Sequence, residues 1–272
     1  MGSWLQHASW ETTIKRDIVR QAINVLAVVA TLVVNGLANA LPLNGNSTAE
    51  ISDLFKVYFV PAGYVFSIWG LIYVGLIAFA VYQAMPSQRE NPRLRRIGYG
   101  FALSCLANIV WLFLWHYEVF VLTIIVMLAL LLLLIGIYLR LDIGHGRVTA
   151  KEKWLVDIPV SIYLGWITVA TIANASDVLN YLKWNGWGLA PEIWAIILLA
   201  AGLGLAAAMS LTRGDIAYQL VLVWAFVGIA VKQAGTPMVA NAAWVMSGLV
   251  VLVLIGGVVF RKGRSQLHLA SA

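Results

Sequence analysis

The chain has 272 residues, of which 61% are hydrophobic and only 11% charged, with a mean hydropathy of +0.86. Soluble domains carry about 25% charged residues, so this composition excludes a water-soluble enzyme, a disordered chain and a nucleic-acid-binding domain, and requires an integral membrane protein. The net charge of +6 then belongs to loops rather than to an anionic partner, and the single cysteine, Cys105, rules out a disulfide framework or a multi-cysteine metal site.

About 20 apolar residues are needed to cross roughly 30 Å of hydrocarbon as a helix. Eight stretches qualify: 19–41, 60–84, 97–115, 118–139, 154–175, 190–211, 216–233 and 237–260. Lipid offers no partner for a free backbone N–H or C=O, so each is expected to be helical, in an all-α, polytopic membrane bundle of about eight transmembrane helices. Residues 1–18 and 261–272 read as tails, with Trp4 and Trp10 expected on an unordered segment. Lys15, Arg16 and Arg20, followed by Ile23 to Val34 and by Ala38-Asn39-Ala40, have the layout of a secretory signal, but the apolar run continues to Leu41 and is long enough to span. With eight spans, one set of loops and ends holds fifteen of the Lys and Arg residues; the other holds Lys56, Lys183 and Lys232. The positive-inside rule then places both termini in the cytoplasm, and the short loops suit a bacterial inner membrane.

Between the first two spans, loop 43–58 combines the turn formers Asn44, Gly45, Asn46 and Ser47 with Phe55, Tyr58 and Phe59. It reads either as an interfacial anchor or as a lid folded over a cavity mouth, with Phe55, Tyr58 and Pro61 its candidate contacts. In the second span Phe66, Trp69 and Tyr73 recur at i, i+3 and i+7, on one helix face. The third span carries Asn108 and Trp111, and the fifth Tyr163, Trp166 and Asn174. Trp115, Trp154, Trp184, Trp187 and Trp194 lie at span ends, where an aromatic belt accounts for them. Trp69, Trp111 and Trp166 lie deeper, with amides that need partners in hydrocarbon, and point to a pocket. Indoles and phenols with a few amides suit a flat, largely apolar ligand such as a porphyrin, sterol or polyene.

Asp157, Asp177, His116 and Glu118 sit near span ends, where headgroups and water solvate them. Lys232, close to a loop, is expected to snorkel rather than to hold a retinal. No buried acid–base pair, metal-spaced His cluster or nucleophile turn is visible in any span, so hydrolase and metalloenzyme chemistry has no support, and no catalytic or metal residue is assigned.

The stretch Pro61…Trp69-Gly-Leu-Ile-Tyr73, then Asn108-x-x-Trp111, then Tyr163-Leu-Gly-Trp166 with Asn174 eight residues on, resembles the TspO/MBR family of tryptophan-rich sensory proteins. The resemblance covers about residues 20–185. It implies a five-helix bundle over 19–185 whose first extramembrane loop closes on a pocket for tetrapyrroles. Phe66, Trp69, Tyr73, Asn108, Trp111, Tyr163, Trp166 and Asn174 are then the ligand-binding candidates, and loop 43–58 the lid. Two departures stand out. The Lys-Pro-x-Trp pattern of the family is replaced by Phe55-Lys56-Val57-Tyr58, and the proline beside the fifth-span tyrosine is Ile162, with Pro159 nearby.

Residues 186–260 form three further spans outside these motifs. In the sixth span Ala200, Gly204 and Ala208, beside Gly202 and Ala206, allow close helix packing, within the chain or in a homodimer. The expected function is a membrane binding or sensor protein for a porphyrin or similar non-covalent tetrapyrrole, in contact with lipid and no nucleic acid. A secondary transporter is the alternative, weakened because no span is expected to hold an intramembrane carboxylate; porphyrin degradation is a further one.

Overall fold

The computed structural model describes residues 2–41 and 43–270, with side chains over 14–38, 40–41 and 43–261. Trp4 and Trp10 therefore lie outside the described side chains. The described residues are helical and contain no strand, as expected of a chain whose backbone must pair within lipid. The order is α1 (Gly2–Ala40), α2 (Thr48–Asp53), α3 (Ile68–Ala84), α4 (Pro92–Ile97), α5 (Gly100–His116), α6 (Phe120–Arg140), α7 (Ala150–Glu152), α8 (Ile158–Tyr181), α9 (Pro191–Thr212), α10 (Ile216–Lys232) and α11 (Pro237–Ala270). Each of the eight expected spans has its helix. Six are long and apolar enough to cross a membrane; α5 and α10 have 17 residues each, the lower bound for crossing. The first tail is not a separate coil, since α1 begins at Gly2.

Five helices close a ring in the order α1, α3, α8, α6, α5, each touching the next and α5 returning to α1. The sixth neighbour is α10, which packs on α8 from outside the ring and carries α9 and α11 with it. Helix α8 is thus enclosed by α3, α6 and α10, and two glycines allow that crowding. A Cβ on Gly75 would lie 3.0 Å from the Pro159 ring, and one on Gly165 3.1 Å from Tyr218 O and from Val221. Pro159 lies inside the continuous helical run Ala150–Tyr181, just after a π-helical turn at Lys153–Asp157 in which Ile158 N donates to Lys153 O, and that turn accommodates the proline's missing N–H. In α9 it is Gly202 and Ala206 that face inward: a Cβ on Gly202 would stand 2.7 Å from the Phe226 ring, while Ala200, Gly204 and Ala208 are exposed.

At the arginine-rich end the helices are fastened by ion pairs. Arg93 bonds Asp157 at 2.8 Å and approaches Glu152 at 3.5 Å, while two of its nitrogens donate to Leu141 O. Asp17 pairs with Arg20 at 3.2 Å and with Arg95. Asp157 is therefore not solvated by headgroups as its place in the chain suggests; it is 7% exposed, because α4 brings Arg93 over it. At the opposite end, the segment between α1 and α3 folds back over the ring.

Candidate functional site

The residues that shape this end begin with Ser47. Its hydroxyl accepts from Glu50 N at 3.3 Å while the Glu50 carboxylate accepts from Ser47 N at 2.7 Å, a reciprocal cap that starts α2. The Ser47 backbone N–H holds the Glu50 carboxyl below its ordinary range. Helix α2 lies across the last turn of α5. His116 Nδ1 faces Leu43 O at 3.1 Å; a carbonyl can only accept, so Nδ1 carries the proton, and in the neutral ring Nε2 accepts from Thr48 Oγ1 at 3.1 Å. Trp115 Nε1 donates to Thr48 O at 3.2 Å, and Asn44 Nδ2 to His116 O at 3.1 Å. His116 and Trp115 are 1% and 2% exposed. Expectations of a wet histidine and a belt tryptophan are overturned, because loop 43–58 covers both.

Beneath α2 lies a cavity of about 40 Å³. Its walls are Phe66 and Trp69 from the second span, Trp111 and Trp115 from α5, Trp166, Ala170, Asn174 and Asp177 from α8, and Met127 from α6; Thr48, Ser52 and Pro61 close it. The rings meet edge to face on one side: Trp69 and Trp166 centroids are 6.3 Å apart at 83°, and Phe66 and Trp166 5.8 Å at 80°. On the other side Trp111 and Trp115 stack at 5.5 Å. Such offset and T-shaped pairs are the geometries that ring quadrupoles favour.

Five of the eight sequence candidates, Phe66, Trp69, Trp111, Trp166 and Asn174, line this cavity together with Pro61. The other three stand behind it. Tyr73 OH donates to Asn35 Oδ1 at 3.0 Å, and Asn35 Nδ2 to Asn108 Oδ1 at 2.9 Å, so α1, α3 and α5 share one buried polar chain. Tyr163 is buried and meets Trp69 at 6.2 Å. Even Asn174 is engaged, accepting from Trp111 Nε1 at 3.4 Å and donating to Thr123 Oγ1 at 2.9 Å. Of the lid candidates, Phe55 wedges against Trp115 and Phe120, whereas Tyr58 turns outward to Glu192.

Asp177 is not solvated by headgroups as its place in the chain suggests. It is 2% exposed, it lines the cavity, and its Oδ1 has no hydrogen-bond partner. A buried carboxylate thus faces the cavity near the end of α8. The only signal for it is its place three residues after Asn174, on the face that α8 turns inward.

The segment 53–65 is stitched to α9 and α10. Lys232 pairs with Asp53, Tyr58 OH donates to Glu192 at 2.9 Å, and Gln233 Nε2 donates to Tyr58 O at 3.1 Å. Ala62 N donates to Gly228 O and Trp224 Nε1 to Val65 O, both at 3.1 Å. The bond to Glu192 raises the Tyr58 phenol above its ordinary range.

Two larger hollows lie outside the ring. One of about 1000 Å³ runs between α8 and α10 at the arginine-rich end, bordered by Trp154, Arg213 and Arg261. Another of about 590 Å³ lies between α6, α8 and α9, beside Trp184 and Trp194. Neither touches the inward tryptophans.

A family model describing TSPO-like proteins matches residues 21–256. No curated protein and no solved structure matches the chain. The match passes residue 185, where the motif resemblance stops, and takes in α9, α10 and much of α11. The chain therefore belongs to the TSPO-like protein family, as a multi-pass helical membrane protein.

Proposed function

We propose that this protein is a membrane binding or sensor protein for a flat, largely apolar ligand, with a porphyrin or other tetrapyrrole as the leading class. The observation that carries the reading is the convergence of Trp69, Trp111, Trp115 and Trp166 under a short helix held by few polar contacts. The wall chemistry suits a stacked ring system. The space does not yet hold one: about 40 Å³ is far below the roughly 300 Å³ at which pockets for drug-sized ligands begin. Uptake therefore requires α2 to lift and the indoles to part, which is the mechanism proposed for the lid. In the orientation read from the arginines, this lid faces the extracytoplasmic side of a bacterial inner membrane, with both termini cytoplasmic.

Saturable quenching of tryptophan fluorescence by protoporphyrin IX in the purified full-length protein is the expected result. Affinity should fall about tenfold or more in Trp69→Ala and Trp166→Ala, since a lost stacking partner is worth about 1.4 kcal/mol or above. Unchanged affinity in folded variants would sink the reading. Secondary transport is the second reading, and Asp177 is the observation that favours it, as a buried carboxylate on the cavity wall. Uptake into proteoliposomes that depends on an ion gradient would move the proposal there.

A further inference from the structure

We propose that the hollow between α8 and α10 is a site for one anionic phospholipid, its phosphate held by Arg213, Arg261 and Lys153 and an acyl chain laid along the two helices. The site lies outside the helix ring, so it stands whether or not the indole cavity takes a ligand.

The hollow has the depth of one leaflet. On α10 its wall runs from Ile216 to Trp224, a rise of about 12 Å at 1.5 Å per residue. One leaflet of hydrocarbon is about 15 Å deep, half of the roughly 30 Å core. At the far end Ser67 and Trp224 close it, the indole fixed by its bond to Val65 O at 3.1 Å. Between the ends the walls are aliphatic, with Leu71 of α3, Ile158 and Ile162 of α8, and Ile216 and Leu220 of α10. Leu71, Ile216 and Leu220 are 54%, 45% and 55% exposed, and on membrane spans that exposure is to acyl chains.

The near end is basic and has donors to spare. Arg213 makes its hydrogen bonds from Nη1, to Asp142 at 3.1 Å, Ile143 O at 3.3 Å and His145 at 2.9 Å. Its Nε and Nη2 have no hydrogen-bond partner among the described residues. Arg261 donates once from each Nη, to Gly144 O at 3.2 Å and Thr212 O at 2.7 Å, and each of those nitrogens carries a second N–H. Both guanidinium groups are thus fixed in place, with donors left for a phosphate, whose geometry the guanidinium fork matches. Lys153 is exposed and forms no ion pair among the described residues. The two acids on the wall, each 7% exposed, are engaged inside the fold. Asp157 holds Arg93, and Asp215 accepts from Tyr138 at 2.8 Å, Ser161 at 2.6 Å and Tyr218 N at 3.1 Å. Trp154, 67% exposed beside Lys153, sits where headgroup-level indoles are found.

This combination of a basic head and an apolar trough selects the lipid. A zwitterionic headgroup would bring its own ammonium against three cations, whereas phosphatidylglycerol brings only the phosphate charge. In the orientation proposed above, the lipid belongs to the cytoplasmic leaflet.

The test is native mass spectrometry of the delipidated full-length protein in detergent, with equimolar palmitoyl-oleoyl phosphatidylglycerol and phosphatidylcholine. The expected result is retention of one phosphatidylglycerol at least fivefold over phosphatidylcholine. Lys153→Gln should lower that preference at least threefold. Arg16→Gln, which removes one exposed charge from α1 at the same end of the molecule, should leave it unchanged. Leu220→Trp, which fills the trough without altering charge, should lower retention of phosphatidylglycerol at least threefold, with its fold checked by circular dichroism. Equal retention of the two lipids would overturn the proposal. So would an equal loss in Lys153→Gln and Arg16→Gln, which would reduce the preference to the general attraction of a basic surface, or unchanged retention in a folded Leu220→Trp protein.

Discussion

Thr48 and His116 are 68 residues apart in the chain and 3.1 Å apart in space, and their contact fastens α2 over the end of the indole cavity. The histidine acts twice, since its other nitrogen donates to Leu43 O on the entry side of the lid. Replacing His116 by Phe removes both bonds at a net cost of about 1 kcal/mol each. Opening of α2 should then increase roughly tenfold or more. Hydrogen exchange at the amides of residues 48–54 should accelerate by that factor while the interior amides of α5 hold their rates. Unchanged exchange at 48–54 would mean that the remaining bonds, from Trp115 to Thr48 O, from Asn44 to the backbone of residue 116 and between Lys232 and Asp53, secure the lid without the imidazole.

The cap of α2 carries a pH dependence whose sign follows from Glu50. Its folded pKa lies below the ordinary value of 4.5, with the Ser47 backbone N–H as the main cause. A carboxyl depressed in the folded state contributes stability that is present above its unfolded pKa and lost as pH falls through the folded one. A nitroxide at Ala49→Cys, in a Cys105→Ser background, should therefore become more mobile as pH drops below about 4.5. Glu50→Gln, which removes the charge, should flatten that profile. An equally steep profile in the variant would assign the change to another group.

Much of this architecture is legible in the sequence because span length and the sorting of arginines between loops are local properties. The same holds for Trp69 and Trp166, which lie too deep in their spans to be belt residues. His116, Trp115 and Asp177 were not legible, and for one reason. Each sits within two turns of a span end, where chain position cannot distinguish a headgroup environment from one roofed by a folded loop. That roof depends on partners far along the chain: Tyr58 on Glu192 at a separation of 134, Val65 on Trp224 at 159 and Asp53 on Lys232 at 179. The buried polar chain that joins Tyr73 and Asn108 through Asn35 is not legible either, because Asn35 lies in an apolar helix with nothing nearby to mark it.

Gly228 tests whether α10 holds the lid segment. A Cβ there would fall 2.2 Å from Val65 Cγ2 and 3.1 Å from Pro61 Cβ. Alanine is favoured over glycine inside a helix by about 1 kcal/mol. Val65, however, is fully buried and stiff at χ1, so it cannot swing aside and the clash should win. Gly228→Ala is expected to lower stability by about 1–3 kcal/mol, read as a reduced midpoint of thermal unfolding in detergent. Adding Val65→Ala should restore part of the loss by removing the methyl in the way. A Gly228→Ala protein as stable as the wild type would show that the 61–65 turn yields freely and is not clamped by α10.

Arg93 tests the opposite end. Its guanidinium holds Asp157 at the start of α8, Glu152 just before it, and Leu141 O at the end of α6, so one side chain joins three consecutive parts of the ring. Both charged partners are mostly out of water, with side-chain exposures of 10% and 13%. Arg93→Met keeps most of the volume and removes the charge. The cost expected for leaving a buried carboxylate unpaired is about 3–5 kcal/mol, well beyond the lost contacts themselves. Asp157→Asn added to Arg93→Met should therefore recover much of the stability, because it removes the stranded charge rather than restoring the pair. Thermal unfolding of the single and double variants separates the effects: recovery identifies desolvation of Asp157 as the source of the loss, whereas a double variant no more stable than Arg93→Met would place the cost at Glu152 and in the bonds to Leu141 O.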